Sequence, residues 1–166
     1  MPMPAEKIIR MVSRRQSRSV WLILAGFVAL TPFAAAAEEY RILMLNAAAD
    51  DAQHTNVFTP DILRIQPGDT VTFVPTDAGH NAASKRGMIP DGAEPWNSPM
   101  DEEFSITLTV PGVYGYVCLP HYEMGMVGLI VVGDETPNLQ EARKTRQLGA
   151  ARGAFRDLFA RLEADE

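Results

Sequence analysis

The sequence predicts an all-β fold: a Greek-key sandwich of two β-sheets with a helical extension packed on its C-terminal side. Three observations predict it. Short runs alternating β-branched or aromatic residues with polar ones recur between residues 40 and 132. Turn signals punctuate them, above all Pro67-Gly68-Asp69 and Pro111-Gly112. From Asp134 onward the composition shifts to Ala, Arg, Leu and Glu at helical spacing.

The first 37 residues are read as an export signal, to be set aside before any fold reasoning. Lys7, Arg10, Arg14, Arg15 and Arg18 form a basic leader, Val20 to Phe33 an apolar run of 14 residues, and Ala34 to Ala37 a small-residue cleavage segment. The run is short for a membrane span. Ser13-Arg14-Arg15 carries the twin-arginine pair, without the apolar residues that usually follow it. The expected organisation is a signal over 1–37, a sandwich over 38–134, and helices over 135–166 belonging to the same domain.

Removing 37 residues from 166 leaves 129, enough for one domain with a proper core. Five basic residues and Glu6 leave with the signal. Of 15 basic and 21 acidic residues, 10 and 20 remain, a net charge of −10. That sign excludes nucleic acid as a partner. One cysteine cannot form an internal disulfide, so Cys118 in an exported chain calls for another explanation.

Taken in order, Tyr40 to Asn46 reads as a first strand. Ala47 to Asn56 is a polar connection containing His54, expected to be a solvent-exposed loop residue. Val57 to Pro60 and Ile62 to Ile65 read as a second, broken strand, with Pro60 at an edge or bulge. Thr70 to Val74 alternates as a half-buried strand should, and delivers the chain to His80. Ala82 to Pro99, with three prolines and two glycines, is a long irregular crossover. Phe104 to Val110 and Val113 to Cys118 are strands joined at Pro111-Gly112. Val127 to Val132 is almost continuously apolar, as a strand inside a sandwich would be. The pattern points to antiparallel pairing. Leu139 to Leu148 and Ala150 to Leu162 read as helices, Asn138 as the cap, Gly149 and Gly153 as breaks, and Leu148, Phe155, Leu158, Phe159 and Leu162 as the apolar stripe.

The chemistry gathers in Cys118-Leu119-Pro120-His121-Tyr122-Glu123-Met124-Gly125-Met126. A thiolate, an imidazole three residues on and a thioether five beyond that form a soft and borderline donor set. With a second histidine they match a blue-copper electron-transfer site. His80, in Gly79-His80-Asn81, is the candidate second histidine. The expected ligands are His80, Cys118, His121 and Met126, Met126 being preferred to Met124 because it opens the next strand. Asn81 is expected beside the thiolate, its N–H reaching the sulfur and its side chain tying the two ligand loops. Pro120 stiffens the loop by fixing φ. Met124 is expected to pack on an apolar surface around His121.

These residues resemble the pseudoazurins, small bacterial periplasmic cupredoxins. The likeness rests on Met44-Leu45-Asn46, Pro67 through Phe73, Gly79-His80-Asn81, Met88-Ile89-Pro90, Gly92-Ala93-Glu94, Pro111 through Tyr114, Cys118 through Met126, and Val132-Gly133-Asp134, and it includes the helical tail. The resemblance implies one copper ion per chain, held by His80, Cys118, His121 and Met126. It implies a monomeric periplasmic electron carrier, not an enzyme, with the edge of His121 as electron port amid Pro120 and Met124. The implied partners are periplasmic redox proteins: a cytochrome or other donor, and a reductase, often the copper nitrite reductase, as acceptor. No stable membrane association is expected once the signal is cut.

The chain departs from the family at Leu119, where threonine is usual, and at Asn56, near a usual methionine. The family's lysine ring also thins, with Ala78 and Val117 at two of its places and Lys85 and Arg86 as the basic groups left near the site. Docking through the apolar patch, or with a less acidic partner, is the expectation that follows. Three alternatives compete. A multicopper oxidase needs far more than three histidines. A copper sequestration or delivery protein would expose flexible Met and His ligands. Structural zinc disfavours a thioether.

Overall fold

The computed structural model describes residues 36–48, 53 and 55–164. Residues 1–35 of the predicted export signal, and His54, lie outside the described residues. Among the described residues, eight strands and two helices follow one another: β1 (Glu39–Ala47), β2 (Thr55–Thr59), β3 (Ile62–Ile65), β4 (Thr70–Pro75), β5 (Ala83–Ser84), β6 (Phe104–Thr107), β7 (Gly112–Val117), β8 (Val127–Val132), α1 (Leu139–Lys144) and α2 (Ala151–Ala164). A single 3-10 turn, Tyr122–Met124, lies between β7 and β8.

Two four-stranded sheets form the sandwich, in the orders β2-β1-β4-β6 and β3-β8-β7-β5. The all-β Greek-key expectation holds, but purely antiparallel pairing does not: β1 runs parallel to β4, and β3 parallel to β8. Pro60-Asp61 is the reason. The chain leaves the edge strand β2 there, crosses to the other sheet as β3, and comes back beside β1 as β4, in the same direction as β1. The return turn is clamped by the Asp69 carboxylate, which accepts from the N–H groups of Glu38 (2.8 Å) and Gln66 (2.7 Å).

Alternation explains the continuous apolar run of β8. Ile130 and Val132 face the sandwich core with Ile42, Met44, Phe73, Tyr114 and Tyr116. Leu129 and Val131 face the other way, against Phe155, Leu158, Phe159 and Leu162 of α2. A strand covered on both faces has no position for a polar side chain. The helical tail is thus the third layer of the domain.

Several predicted boundaries shift. The strand from Phe104 stops at Thr107, because the N–H of Leu108 turns to Asp69 O (3.0 Å). The irregular crossover 82–99 contains β5, paired with β7. The helix from Leu139 stops at Lys144 rather than Leu148: Thr145 turns extended (φ −61°, ψ 125°) and its hydroxyl donates to Gly87 O at 2.7 Å. Leu148 leaves the apolar stripe and is exposed. Asn138 makes no side-chain cap. Its amide clamps β7 instead, accepting from Val113 N–H (2.8 Å) and donating to Val113 O (2.7 Å). Gly149 does separate the helices, at φ +53°, but Gly153 lies inside α2.

Candidate metal centre

Two loops at one end of the sandwich meet. Cys118 directly follows β7 and Met126 directly precedes β8, and the ladder runs one step past both strands through the bond Cys118 N–H to Met126 O (3.1 Å). His121 opens the connection. Its carbonyl accepts from the N–H groups of Met124 and Met126 (both 3.1 Å), which coils the loop into one tight turn closed by Gly125 at φ +102°. A side chain at that φ would be strained, so glycine suits the position.

His80 comes from the β4–β5 connection and is fully buried. Asp101 holds its backbone from both sides: the carboxylate accepts from Gly79 N–H (2.5 Å) and His80 N–H (3.0 Å), and Asp101 N–H donates to His80 O (2.9 Å).

The donor atoms of His80, Cys118 and His121 all lie within 4.8 Å of one another. Cys118 Sγ is 3.7 Å from His80 Nδ1 and 3.5 Å from His121 Nδ1. An ion bonded to one thiolate and two imidazoles at ~2.0–2.3 Å sets donors roughly 3.6–3.8 Å apart in a trigonal to tetrahedral array. Both sulfur–nitrogen separations therefore already match what a first-row metal requires. The Met126 side chain is buried in the same core cluster as Cys118.

The surroundings prepare these donors. His80 Nε2 lies 3.0 Å from Asn46 Oδ1, so Nε2–H donates outward and the lone pair sits on Nδ1, facing the sulfur. Burial lowers the His80 pKa, and the positive charge of His121 lowers it further. Burial pushes the Cys118 thiol up, while the main-chain N–H groups of Asn81 and His121 pull it down. Asn81 also accepts from Leu119 N–H through Oδ1 (2.8 Å) and donates to Asn97 Oδ1 (3.0 Å), joining the two ligand loops. A metal binding here meets the free lone pair of His80 and a thiol that must release its proton.

Leu119, Pro120 and Met124 are exposed around the partly exposed His121. Met124 therefore contributes to an apolar rim and not to the interior, and Leu119 adds another apolar group to that rim.

Sequence reasoning missed Asn46, Asp101 and Gln147. The first had a signal: period two puts Asn46 on the same face of β1 as Ile42 and Met44, an exposed polar residue at the end of a core stripe. Asp101 and Gln147 reach the site only through tertiary folding. Gln147 accepts from Tyr122 Oη–H (2.8 Å), and Ala150 N–H donates to Glu123 O (2.8 Å), so the helical tail braces the ligand loop.

The family model for copper binding proteins of the plastocyanin/azurin family matches residues 45–133. The chain is 39% identical over 145 residues to the pseudoazurin of Methylorubrum extorquens, across 86% of this chain and 96% of that one. It is 40% identical over 116 residues to the pseudoazurin of Paracoccus pantotrophus, across 70% and 78%. Among solved structures it is similar to a Sinorhizobium pseudoazurin at a TM-score of 0.74 and 47% identity, covering 78% of this chain and 99% of the other.

Proposed function

This chain belongs to the pseudoazurins, within the plastocyanin/azurin family of copper-binding proteins, and from that premise we propose how its residues carry an electron. Copper is the cofactor and electron transfer the family's work. We assign His80, Cys118, His121 and Met126 as its four ligands. The single observation that carries this reading is the convergence of His80, Cys118 and His121 at separations that suit one ion.

Copper supplies one-electron chemistry by passing between Cu(I) and Cu(II). The protein's part is to hold the donors still. Asp101 fixes the His80 backbone, Asn46 fixes its ring, and Asn81 and the tight turn after His121 fix the loop that bears Cys118. A donor set pinned from three chain segments relaxes little when charge changes. Full burial of His80 and Cys118 keeps water from the sulfur. Main-chain N–H groups aimed at that sulfur stabilise its negative charge and so tune the potential. The partly exposed His121 is the way in and out, and Leu119, Pro120 and Met124 give a partner an apolar surface to desolvate.

The protein works with redox partners. On this reading the donor is a cytochrome or comparable protein and the acceptor a periplasmic reductase, with a nitrite reductase as the acceptor we assign. The export-type leader supports a periplasmic location. Among the described residues, no helix is long and apolar enough to cross a membrane. Buried, hydrogen-bonded ligands speak against copper delivery, which wants exposed and flexible ones.

Voltammetry of the copper-loaded protein tests the proposal. A reversible one-electron wave, with fast oxidation of the reduced protein by a copper nitrite reductase, is the expected result. Copper that binds but gives no reversible wave would overturn it.

A further inference from the structure

The basic side chains are unevenly distributed. Ten follow position 37. Three are engaged elsewhere: Arg41 pairs with Glu103 at 2.9 Å, Arg161 with Asp61, and Arg64 donates to Leu162 O at 3.2 Å. Of the other seven, Arg143, Lys144, Arg146, Arg152 and Arg156 lie in the helical tail, and Lys85 and Arg86 in the turn after β5.

The links are explicit. Lys85 Nζ stands 4.3 Å from the centre of the Tyr122 ring, next to His121 in sequence. The turn after Arg86 abuts α1 through the Thr145–Gly87 bond. Tyr122 Oη donates to Gln147 and accepts from Leu148 N–H at 3.1 Å. Gln147 lies in a groove of about 460 Å³ that Arg143, Arg146, Arg152 and Arg156 also line, with buried Phe155 and Phe159.

Arg143 pairs with Glu163, and Arg156 leans on neighbouring Asp157 at 3.3 Å. No ion pair among the described residues engages Lys85, Arg86, Arg146 or Arg152. With Lys144, this side carries seven basic residues against Glu123, Glu141, Asp157 and Glu163, a balance of +3 on a chain whose net charge past residue 37 is −10. So strong a segregation creates a local field opposite to that of the whole molecule.

We propose that this arginine groove is the docking site for an acidic surface segment of the redox partner, which seats its redox centre beside His121 from the helical side. The inference rests on the electron-carrier reading and adds the partner's chemistry and side of approach. Guanidinium forks grip carboxylates bidentately, and the phenylalanine floor takes the apolar stem of a glutamate or a flanking aliphatic side chain. An anionic bilayer fits less well, because the remaining −13 of the chain would be repelled by it. The lysine ring of the family is replaced by a one-sided basic surface, so the basic groups near the site are not limited to Lys85 and Arg86.

The test is an amide NMR titration of the Cu(I) protein with poly-L-glutamate. Shifts centred on Tyr122, Arg146, Gln147 and Arg152, abolished by high salt and weakened at least tenfold by Arg146→Glu with Arg152→Glu, are expected. Paired Arg→Lys variants should keep part of the binding. Absent shifts, shifts centred elsewhere, or affinity indifferent to the charge reversal would overturn the proposal. So would binding to phosphatidylglycerol vesicles without binding to polyglutamate. The visible spectrum of the same protein after oxidation to Cu(II), and its voltammetric wave, are recorded alongside. They should be unchanged in the charge-reversed protein, and their absence from the parent protein would refute the carrier reading while the titration still decides the groove.

Discussion

Asn46 Oδ1 accepts from His80 Nε2–H at 3.0 Å, and this bond decides which nitrogen of the buried ring faces Cys118. A ring held from behind cannot swing its Nδ1 out of the donor triangle. Asn46 is held in turn, its N–H donating to the Asp77 carboxylate at 2.7 Å.

Asn46→Ala therefore leaves all four proposed ligands in place and weakens copper binding. Loss of such an orienting partner typically costs ~10–100-fold in metal affinity. Competition with a copper chelator measures it, and unchanged affinity would show that packing alone orients His80.

Asn81→Ala strips Leu119 N–H of its acceptor and unties the two ligand loops. The lost bond is part-buried, and such a bond contributes about 0.5–1.5 kcal/mol net. The variant should melt earlier and show a shifted reduction potential, since the loop bearing Cys118 loosens. A lower melting temperature with an unmoved potential would confine Asn81 to stability.

Gly128→Ala tests the packing behind the site. A Cβ at Gly128 would sit 2.3 Å from the Tyr116 ring, and Tyr116 is locked in turn between Phe58 and Phe73 at centroid distances of 4.8 and 5.2 Å. Overpacking of this kind costs roughly 1–3 kcal/mol. Chemical denaturation should show the loss, with the copper spectrum of the folded fraction retained.

Acid should weaken the metal-free protein. Burial holds the folded-state pKa of His80 below the unfolded value of 6.5. Between the two values the unfolded chain binds the extra proton, so stability is fully present above 6.5 and is lost as pH falls toward the folded value. Denaturation midpoints from pH 8 to 5 should fall below about 6.5, no more steeply than one proton allows. A flat profile would mean that His80 is hydrated in the metal-free protein.

The sequence was most legible where chemistry and local pattern coincide. Cys118 and His121 lie three residues apart, and the strands that flank their loop announce themselves by alternation. His80 followed from a strand that ends just before it. What sequence hid was set by tertiary contacts. Gln147 turns inward to Tyr122 and Met88, and α1 ends four residues before its helical composition does. Asn138 has a cap's identity but spends its amide on Val113, because β7 passes within reach. The parallel pairings depend on Pro60-Asp61 carrying the chain to the other sheet, which no local periodicity records. The arginine groove was invisible for the same reason: Lys85 and Arg152 are far apart in the chain and become neighbours of one loop only after α2 packs on β8.

The most direct measurement is the visible spectrum of the oxidised, copper-loaded protein beside that of Cys118→Ser. An intense thiolate-to-Cu(II) charge-transfer band at one copper per chain, abolished by the substitution, is the predicted result. A fully loaded protein without that band, or with a spectrum indifferent to the loss of the thiol, would contradict a copper–thiolate centre.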